Sequence, residues 1–164
     1  MISFISANRL IYVRTVTLLV FLLTAANAFT ERIVGEVVRV SDGDTLTLLA
    51  NEKQHKIQLA EIDAPEKEQP WGYNAKQALS KKVFRKKITV DVVDIDRYGR
   101  VVGRIWRGER DISRELVAEG HAWVYRQYMT DKNLLNDERD AREQQLGLWS
   151  LENPVPPWEW RGVE

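Results

Sequence analysis

Apolar and polar residues alternate along much of the chain between residues 33 and 106, a pattern typical of strands that bury one face. Residues 33–40 and 45–49 flank an Asp-Gly turn and predict a first hairpin. A third run, residues 55–62, stops at Pro65, which cannot donate a hydrogen bond to a sheet. The first half of the chain therefore predicts three strands that follow one another closely.

Two further strands and three helices complete the pattern. Residues 88–95 and 101–106 predict a second hairpin, whose turn contains Gly99 at a position where a positive φ is expected. Apolar residues recur at helical spacing in three segments, residues 74–87, 111–119 and 131–146. Five strands with helices inserted and appended predict an α+β fold, a five-stranded OB-type barrel with about three α-helices.

The amino-terminal segment has the features of a secretory signal. Arg9 and Arg14 precede a mostly apolar run over residues 15–23, and Ala26-Asn27-Ala28 forms a small-x-small cleavage site. An uncleaved membrane anchor is the alternative, but the run is shorter than the roughly 20 residues that a span needs. We expect cleavage after Ala28, export to the periplasm or the medium, and no stable membrane association afterwards.

The remaining chain divides into a domain over residues 29–150 and a tail over residues 151–164 that contains proline and tryptophan. A segment with this composition is expected to be extended and to pack its rings on the domain. The length allows one core, and we expect a monomer. The tail also leaves open a protein-interaction role.

Charge and cysteine content restrict the chemistry. The first 28 residues contain two arginines and no acidic residue, so the 24 basic and 24 acidic residues of the chain become 22 and 24 after cleavage. Any attraction for nucleic acid must then come from a local patch or from bound cations. The chain has no cysteine, which excludes disulfides and thiolate metal sites.

Acidic residues lie at the ends of two predicted strands. Asp42 and Asp44 flank the glycine of the first turn, while Asp63 and Glu66 follow the third strand and are separated by a rigid Ala-Pro dipeptide. Carboxylates brought together in this way repel one another unless a cation or hydrogen bonds compensate. Calcium takes six to eight oxygen ligands and suits such a pocket. Arg100, after the second turn, could hold a phosphate.

These motifs resemble those of the staphylococcal nuclease (thermonuclease) family. The Asp-Gly-Asp-Thr, Ile-Asp-Ala-Pro-Glu and Asp-Arg-Tyr-Gly-Arg segments occur in that family's order, within a match over residues 33–149. The resemblance implies an OB-fold and calcium-dependent hydrolysis of DNA and RNA, with single strands favoured and 3′-phosphate ends left. It also implies roles for residues: calcium ligation by Asp44, Asp63 and the backbone carbonyl of Ala64, activation of water by Glu66, and charge stabilisation by Arg100.

One position departs from the family pattern. The family's second phosphate-binding arginine corresponds to Gln58, which has no charge and cannot make a forked contact. Strict alternation would also place Gln58 on the face opposite Asp63, unless the strand bends between them. Lys56 is the nearest preceding cation of the same parity and could reach a phosphate instead.

Tyr125 and Tyr128 fall near the family's nucleotide-pocket tyrosines and could stack on bases.

Two hypotheses follow from the sequence. The first is an exported calcium-dependent nuclease that uses Asp44, Asp63, Glu66 and Arg100. The alternative is a non-catalytic OB-fold module that binds nucleic acid, which Gln58 favours.

Overall fold

A computed structural model describes residues 31–162, so the predicted export signal over residues 1–28 lies outside the described part. Eight strands are present there. In chain order they are β1 (Arg32–Val40), β2 (Thr45–Ala50), β3 (Lys53–Leu59), β4 (Ile62–Asp63), β5 (Lys87–Ile95), β6 (Val101–Arg107), β7 (Arg110–Asp111) and β8 (Trp123–Val124).

The five long strands form the predicted barrel. They are hydrogen-bonded in the order β3-β2-β1-β5-β6, and a parallel pairing of β3 with β6 closes the sheet on itself. Strand β1 pairs with β5 through its first half and with β2 through its second half, and its register with β2 shifts between Val37 and Arg39. Closure removes the exposed sheet edges that an open five-stranded sheet would present.

Alternating side chains of the strands fill the barrel. Leu46 and Leu48 of β2, Ile57 of β3, Val90 of β5 and Ile105 of β6 have no more than 1% of their surface exposed. Each follows the period of two read from the sequence. The barrel interior is apolar, and the acidic residues of the predicted site lie where strands end or turn.

The third predicted strand is interrupted, which corrects the continuous strand expected over residues 55–62. Strand β3 ends at Leu59, and Glu61 adopts a left-handed conformation with φ 68° before the two-residue strand β4 begins. The buried Glu61 carboxylate accepts hydrogen bonds from the backbone amides of Thr130 (2.6 Å) and Asp131 (2.9 Å). This anchored break removes strict alternation between Gln58 and Asp63.

The three predicted helices are present with shifted ends. They are α1 (Gly72–Val83), α2 (Ile112–Ala118) and α3 (Asn133–Glu143), followed by a 3₁₀ turn at Gly147–Ser150 and a single turn α4 (Pro157–Trp160). Helix α1 ends four residues early because Phe84 is extended and Arg85 adopts a left-handed conformation before β5 begins at Lys87. Among residues 31–162, none of the helices is long and apolar enough to cross a membrane.

The tail is only partly extended, because α4 gives it one helical turn. Its ring packing is as predicted. The Trp158 ring lies parallel to Tyr125, with centroids 5.6 Å apart and planes 5° apart, and edge-on to Trp123 at 5.8 Å. The tail therefore runs back over the domain beside β8.

Candidate active site

The turn between β1 and β2 is built by the Asp42 side chain. Its Oδ1 accepts hydrogen bonds from the backbone amides of Asp44 (3.1 Å) and Thr45 (2.6 Å). A Cβ added to Gly43 would lie 2.6 Å from that of Ala64 and 2.7 Å from that of Ala75, so only glycine lets the turn pack this closely. The glycine thus brings Asp44 against the loop that follows β4.

Close polar contacts join Asp44, Gln58 and Arg100, three of the predicted site residues, and also involve the Ala64 amide. The amide of Ala64 donates to Oδ2 of Asp44 (2.8 Å), and the Thr45 hydroxyl lies 3.2 Å from Oδ1 of Asp44. The same hydroxyl lies 2.9 Å from Oε1 of Gln58, which also accepts from Nη1 of Arg100 at 2.7 Å. Asp44, Gln58 and Arg100 therefore face one region of the molecule.

Arg100 is held from a second side by the turn between β5 and β6. Oδ1 of Asp96 accepts from the amides of Tyr98 and Arg100, both at 2.9 Å, and Oδ2 accepts from Nε of Arg100 at 2.6 Å. Gly99 has φ 76°, as expected for this turn. Partial burial acts to raise the pKa of Asp96, but the hydrogen bonds from Arg100 and Tyr98 outweigh it, and the pKa lies below its ordinary value.

Asp63 and Glu66 are joined by a residue from the tail. Nη1 of Arg161 donates to Oε1 of Glu66 (2.6 Å) and to Oδ1 of Asp63 (3.2 Å), and Nη2 donates to Oδ2 of Asp63 (2.7 Å). Asp63 is buried, whereas Glu66 keeps 38% of its side chain exposed. Arg161 is not among the site residues predicted from the sequence.

The two buried aspartates are electrostatically strained. Burial raises the pKa of Asp44 well above its ordinary value, and the negative charges of Asp42 and Asp63 raise it further. Burial also raises the pKa of Asp63, although the Arg161 guanidinium offsets part of that effect. A cation near Asp44 would relieve this strain.

The donors suit a hard divalent cation, although they form no complete metal cage. Within residues 31–162, no group of three or more acidic or histidine side chains is arranged to hold a metal ion. Asp44 and Asp63 offer two carboxylates, and their mutual repulsion is the property that a calcium ion would compensate. Backbone carbonyls and water would have to supply the remaining ligands. The carbonyl of Ala64 remains a predicted ligand.

The three predicted substrate-binding residues differ in how far they are exposed to solvent. Tyr125 is half-buried between Trp158 and Tyr128, whereas Tyr128 keeps 61% of its surface exposed and lies edge-on to Tyr125 at 5.0 Å. Lys56 is exposed on β3 opposite Thr47. Tyr128 and Lys56 are open to a ligand, and Tyr125 is covered on one face by the tail.

Two contributors were missed for different reasons. Thr45 belongs to the Asp-Gly-Asp-Thr motif, so the sequence already indicated that it could lie in the site. The structure places it between Asp44 and Gln58. Arg161 lies 98 positions from Asp63, and no local pattern connects them. Tertiary packing of the tail, including that of Trp158 on Tyr125, brings the guanidinium to the carboxylates.

The fold and this site define an OB-fold protein with carboxylates and a guanidinium gathered where strands end. A family model described as staphylococcal nuclease homologue matches residues 56–151. Protein ParB of Escherichia coli is 40% identical over 159 residues, covering 90% of this chain and 89% of that protein. The chain therefore belongs to the staphylococcal nuclease family.

Other relatives have names that refer to nucleases. A micrococcal nuclease of Shigella flexneri is 42% identical over 138 residues, covering 77% of this chain and 79% of that protein. An uncharacterized endonuclease of Haemophilus influenzae is 38% identical over 158 residues, covering 96% of this chain and 88% of that protein. The names of these relatives support the conclusion that this chain is a nuclease.

Proposed function

We propose that this protein is an exported, calcium-dependent nuclease that hydrolyses phosphodiester bonds of DNA and RNA. The observation that carries the proposal is the series of close polar contacts from Arg100 through Gln58 and Thr45 to Asp44, which lies against the loop holding Asp63. It gathers the residue types that the reaction needs, which are carboxylates for a cation and a guanidinium for a phosphate.

The carboxylates of Asp44 and Asp63, with the carbonyl of Ala64, are the groups that would hold calcium. When bound, the ion would offset negative charge on the phosphate and orient water. The protein itself contributes the buried position of both aspartates, which strengthens their attraction for a cation. Thr45 and the Ala64 amide fix the Asp44 carboxylate in place.

Glu66 is the proposed general base. Its Oε1 is bound to Arg161 and its side chain is partly exposed, so Oε2 can receive a proton from water. Attack of that water on phosphorus forms a new P–O bond and breaks the bond to the 5′ oxygen, which leaves as a hydroxyl after protonation. The products are a 3′-phosphate and a 5′-hydroxyl end.

Arg100 stabilises the negative charge that builds on the phosphate oxygens during attack. Its Nε and Nη1 groups are held by Asp96 and Gln58, so the guanidinium is preorganised before substrate arrives. Gln58 is thereby given a positioning role through its carbonyl oxygen. Of the two tyrosines predicted to bind substrate, Tyr128 is the more exposed and could stack on a base of a single strand, and Lys56 could contact the backbone.

Export is part of the same proposal. Cleavage after Ala28 would release a monomer into the periplasm or the medium, beginning at Phe29. Expression of the full chain, followed by cell fractionation and amino-terminal sequencing, tests this directly. A protein retained in the membrane with residues 1–28 attached would contradict it.

The nuclease proposal is tested with the purified chain from Phe29 onward and labelled single-stranded DNA and RNA, in calcium, in magnesium and in chelator. We expect cleavage in calcium alone, with products whose 3′ ends lose phosphate to a phosphatase. Cleavage that persists in chelator would contradict the metal requirement. Binding without cleavage would support the alternative, a non-catalytic nucleic-acid-binding module.

A further inference from the structure

The tail contributes a guanidinium to the acidic side of the site. Arg161 binds both oxygens of Asp63 end-on and also contacts Glu66, so it touches the proposed ligand and the proposed base together. These are charge-assisted contacts of the strong class. The Arg161 side chain is nevertheless 43% exposed, so a ligand can approach it from solvent.

A docked segment rather than a loose chain end delivers this side chain. Pro157 is buried, and the Trp158 ring stacks on Tyr125. Further back, Nε2 of Gln69 donates to the carbonyl of Val155 at 2.6 Å. Three independent contacts therefore fix the tail within six residues of Arg161, and the guanidinium needs little further ordering when a ligand binds.

The unused edge of the guanidinium is suited to an anion. Of five N–H donors, two on Nη1 and one on Nη2 are used in the contacts above. Within residues 31–162, Nε and the second hydrogen of Nη2 have no recorded hydrogen-bond acceptor, and these two donors point in the same direction. They form the fork that binds two oxygens of a phosphate.

The charge of the site also favours a second cationic contact. The region that must accept an anionic substrate contains four carboxylates, those of Asp42, Asp44, Asp63 and Glu66. Gln58 adds no positive charge beside Arg100. A single divalent ion and Arg100 would leave the four carboxylates only partly balanced. Arg161 adds one further positive charge and contacts two of them, Asp63 and Glu66.

We propose that Arg161 is a second phosphate-binding guanidinium of the active site, which rests on the nuclease function proposed above. Asp63 and Glu66 hold its Nη edge, and its Nε/Nη2 edge binds non-bridging oxygens of the substrate phosphate. The alternative is that Arg161 acts as a counter-ion lock. In that role it only neutralises the carboxylates of Asp63 and Glu66, and it must move away before calcium binds.

Single-turnover cleavage of single-stranded DNA at saturating calcium separates these roles. Arg161→Ala should slow cleavage by about 10²-fold, the loss typical for one preorganised donor. Arg161→Lys should recover only part of the rate, because an ammonium cannot make the forked contact. Arg139→Ala, which removes an exposed arginine of α3, is the matched control and should stay within about twofold.

An Arg161→Ala variant that cleaves as fast as the parent, or faster, would overturn the proposal and identify the counter-ion lock. Absence of cleavage by the parent would instead refute the nuclease function, so the two failures are distinguishable. Added guanidinium ion should restore part of the rate of Arg161→Ala. If that variant is unfolded by circular dichroism, Arg161→Gln, which keeps a donor toward Asp63, takes its place in the comparison.

A second readout does not depend on turnover. In chelator, a fluorescein-labelled thymidine 12-mer should bind Arg161→Ala about fivefold more weakly than the parent, since one phosphate contact is lost. Arg139→Ala should bind like the parent. Equal binding by both variants would mean that the Arg161 guanidinium does not touch the phosphate, which would contradict the proposal.

Discussion

Replacing Asp44 by asparagine removes a buried negative charge while keeping the shape of the side chain. Asp44 is 7% exposed, and its carboxylate accepts a hydrogen bond from the amide of Ala64 and lies 3.2 Å from the hydroxyl of Thr45. Its pKa is raised by burial first and then by its acidic neighbours, so the ionised form is unfavourable in the fold. Asp44→Asn should therefore stabilise the metal-free protein.

The size of the stability gain in Asp44→Asn depends on how many hydrogen bonds of the site the asparagine can keep. The Thr45 hydroxyl has one hydrogen but two acceptors in reach, Oδ1 of Asp44 at 3.2 Å and Oε1 of Gln58 at 2.9 Å. In Asp44→Asn, the new amide oxygen can accept from the Ala64 amide while the new NH₂ group donates to the Thr45 oxygen. Both bonds are kept and the repulsion is lost, which predicts a gain of about 1 kcal/mol.

Thermal unfolding in chelator and in calcium measures this effect. The gain corresponds to about 4 °C in Tm for a domain of this size. Calcium should raise the Tm of the parent, because it binds only the folded state, and should barely affect the variant. Asp140→Asn, at an exposed carboxylate of α3, is the control and should change little in either buffer. A variant less stable than the parent in chelator would refute the view that Asp44 is strained for a cation.

Three further predictions concern separate parts of the molecule. Gln58→Leu removes the acceptor that holds Arg100, so the single-turnover rate should fall about tenfold with an unchanged calcium midpoint; an unchanged rate would remove Gln58 from the site. Gly43→Ala places a Cβ 2.6 Å from a neighbouring Cβ and should cost about 1–3 kcal/mol in urea unfolding, whereas a neutral result would contradict the close packing of the turn. Hydrogen bonds from Arg110 lower the pKa of Glu115, whose contribution to stability is present above the unfolded pKa and is lost as pH falls through the folded pKa. The stability difference between the parent and Glu115→Gln should thus shrink as the pH falls below about 5, and a constant difference would refute this assignment.

The sequence predicted the barrel because its signals are local. Alternation, the Asp-Gly turn and the glycine at residue 99 each specify a short segment, and closure follows from five such strands. Glu61 gave no such signal, since a left-handed non-glycine residue held by distant amides cannot be read from spacing. That break decides whether Gln58 and Asp63 share a site.

The contribution of Arg161 also depends on distant packing. Proline and tryptophan in the tail predicted that its rings return to the domain, and Trp158 does stack on Tyr125. Nothing in the tail's own sequence indicates that the next basic residue lies against Asp63 and Glu66. Local patterns located the carboxylates of the site, whereas tertiary structure supplied their cationic partner.

The rate of Glu66→Gln under single-turnover conditions tests the central claim most directly. A general base contributes about 10²- to 10⁴-fold, so the variant should lose that factor at saturating calcium while calcium raises its Tm as it does for the parent. Glu68→Gln, two residues further on and 78% exposed, should cleave at the parent rate. Cleavage by Glu66→Gln as fast as by the parent would contradict the assignment of Glu66 as the base and the proposed mechanism with it.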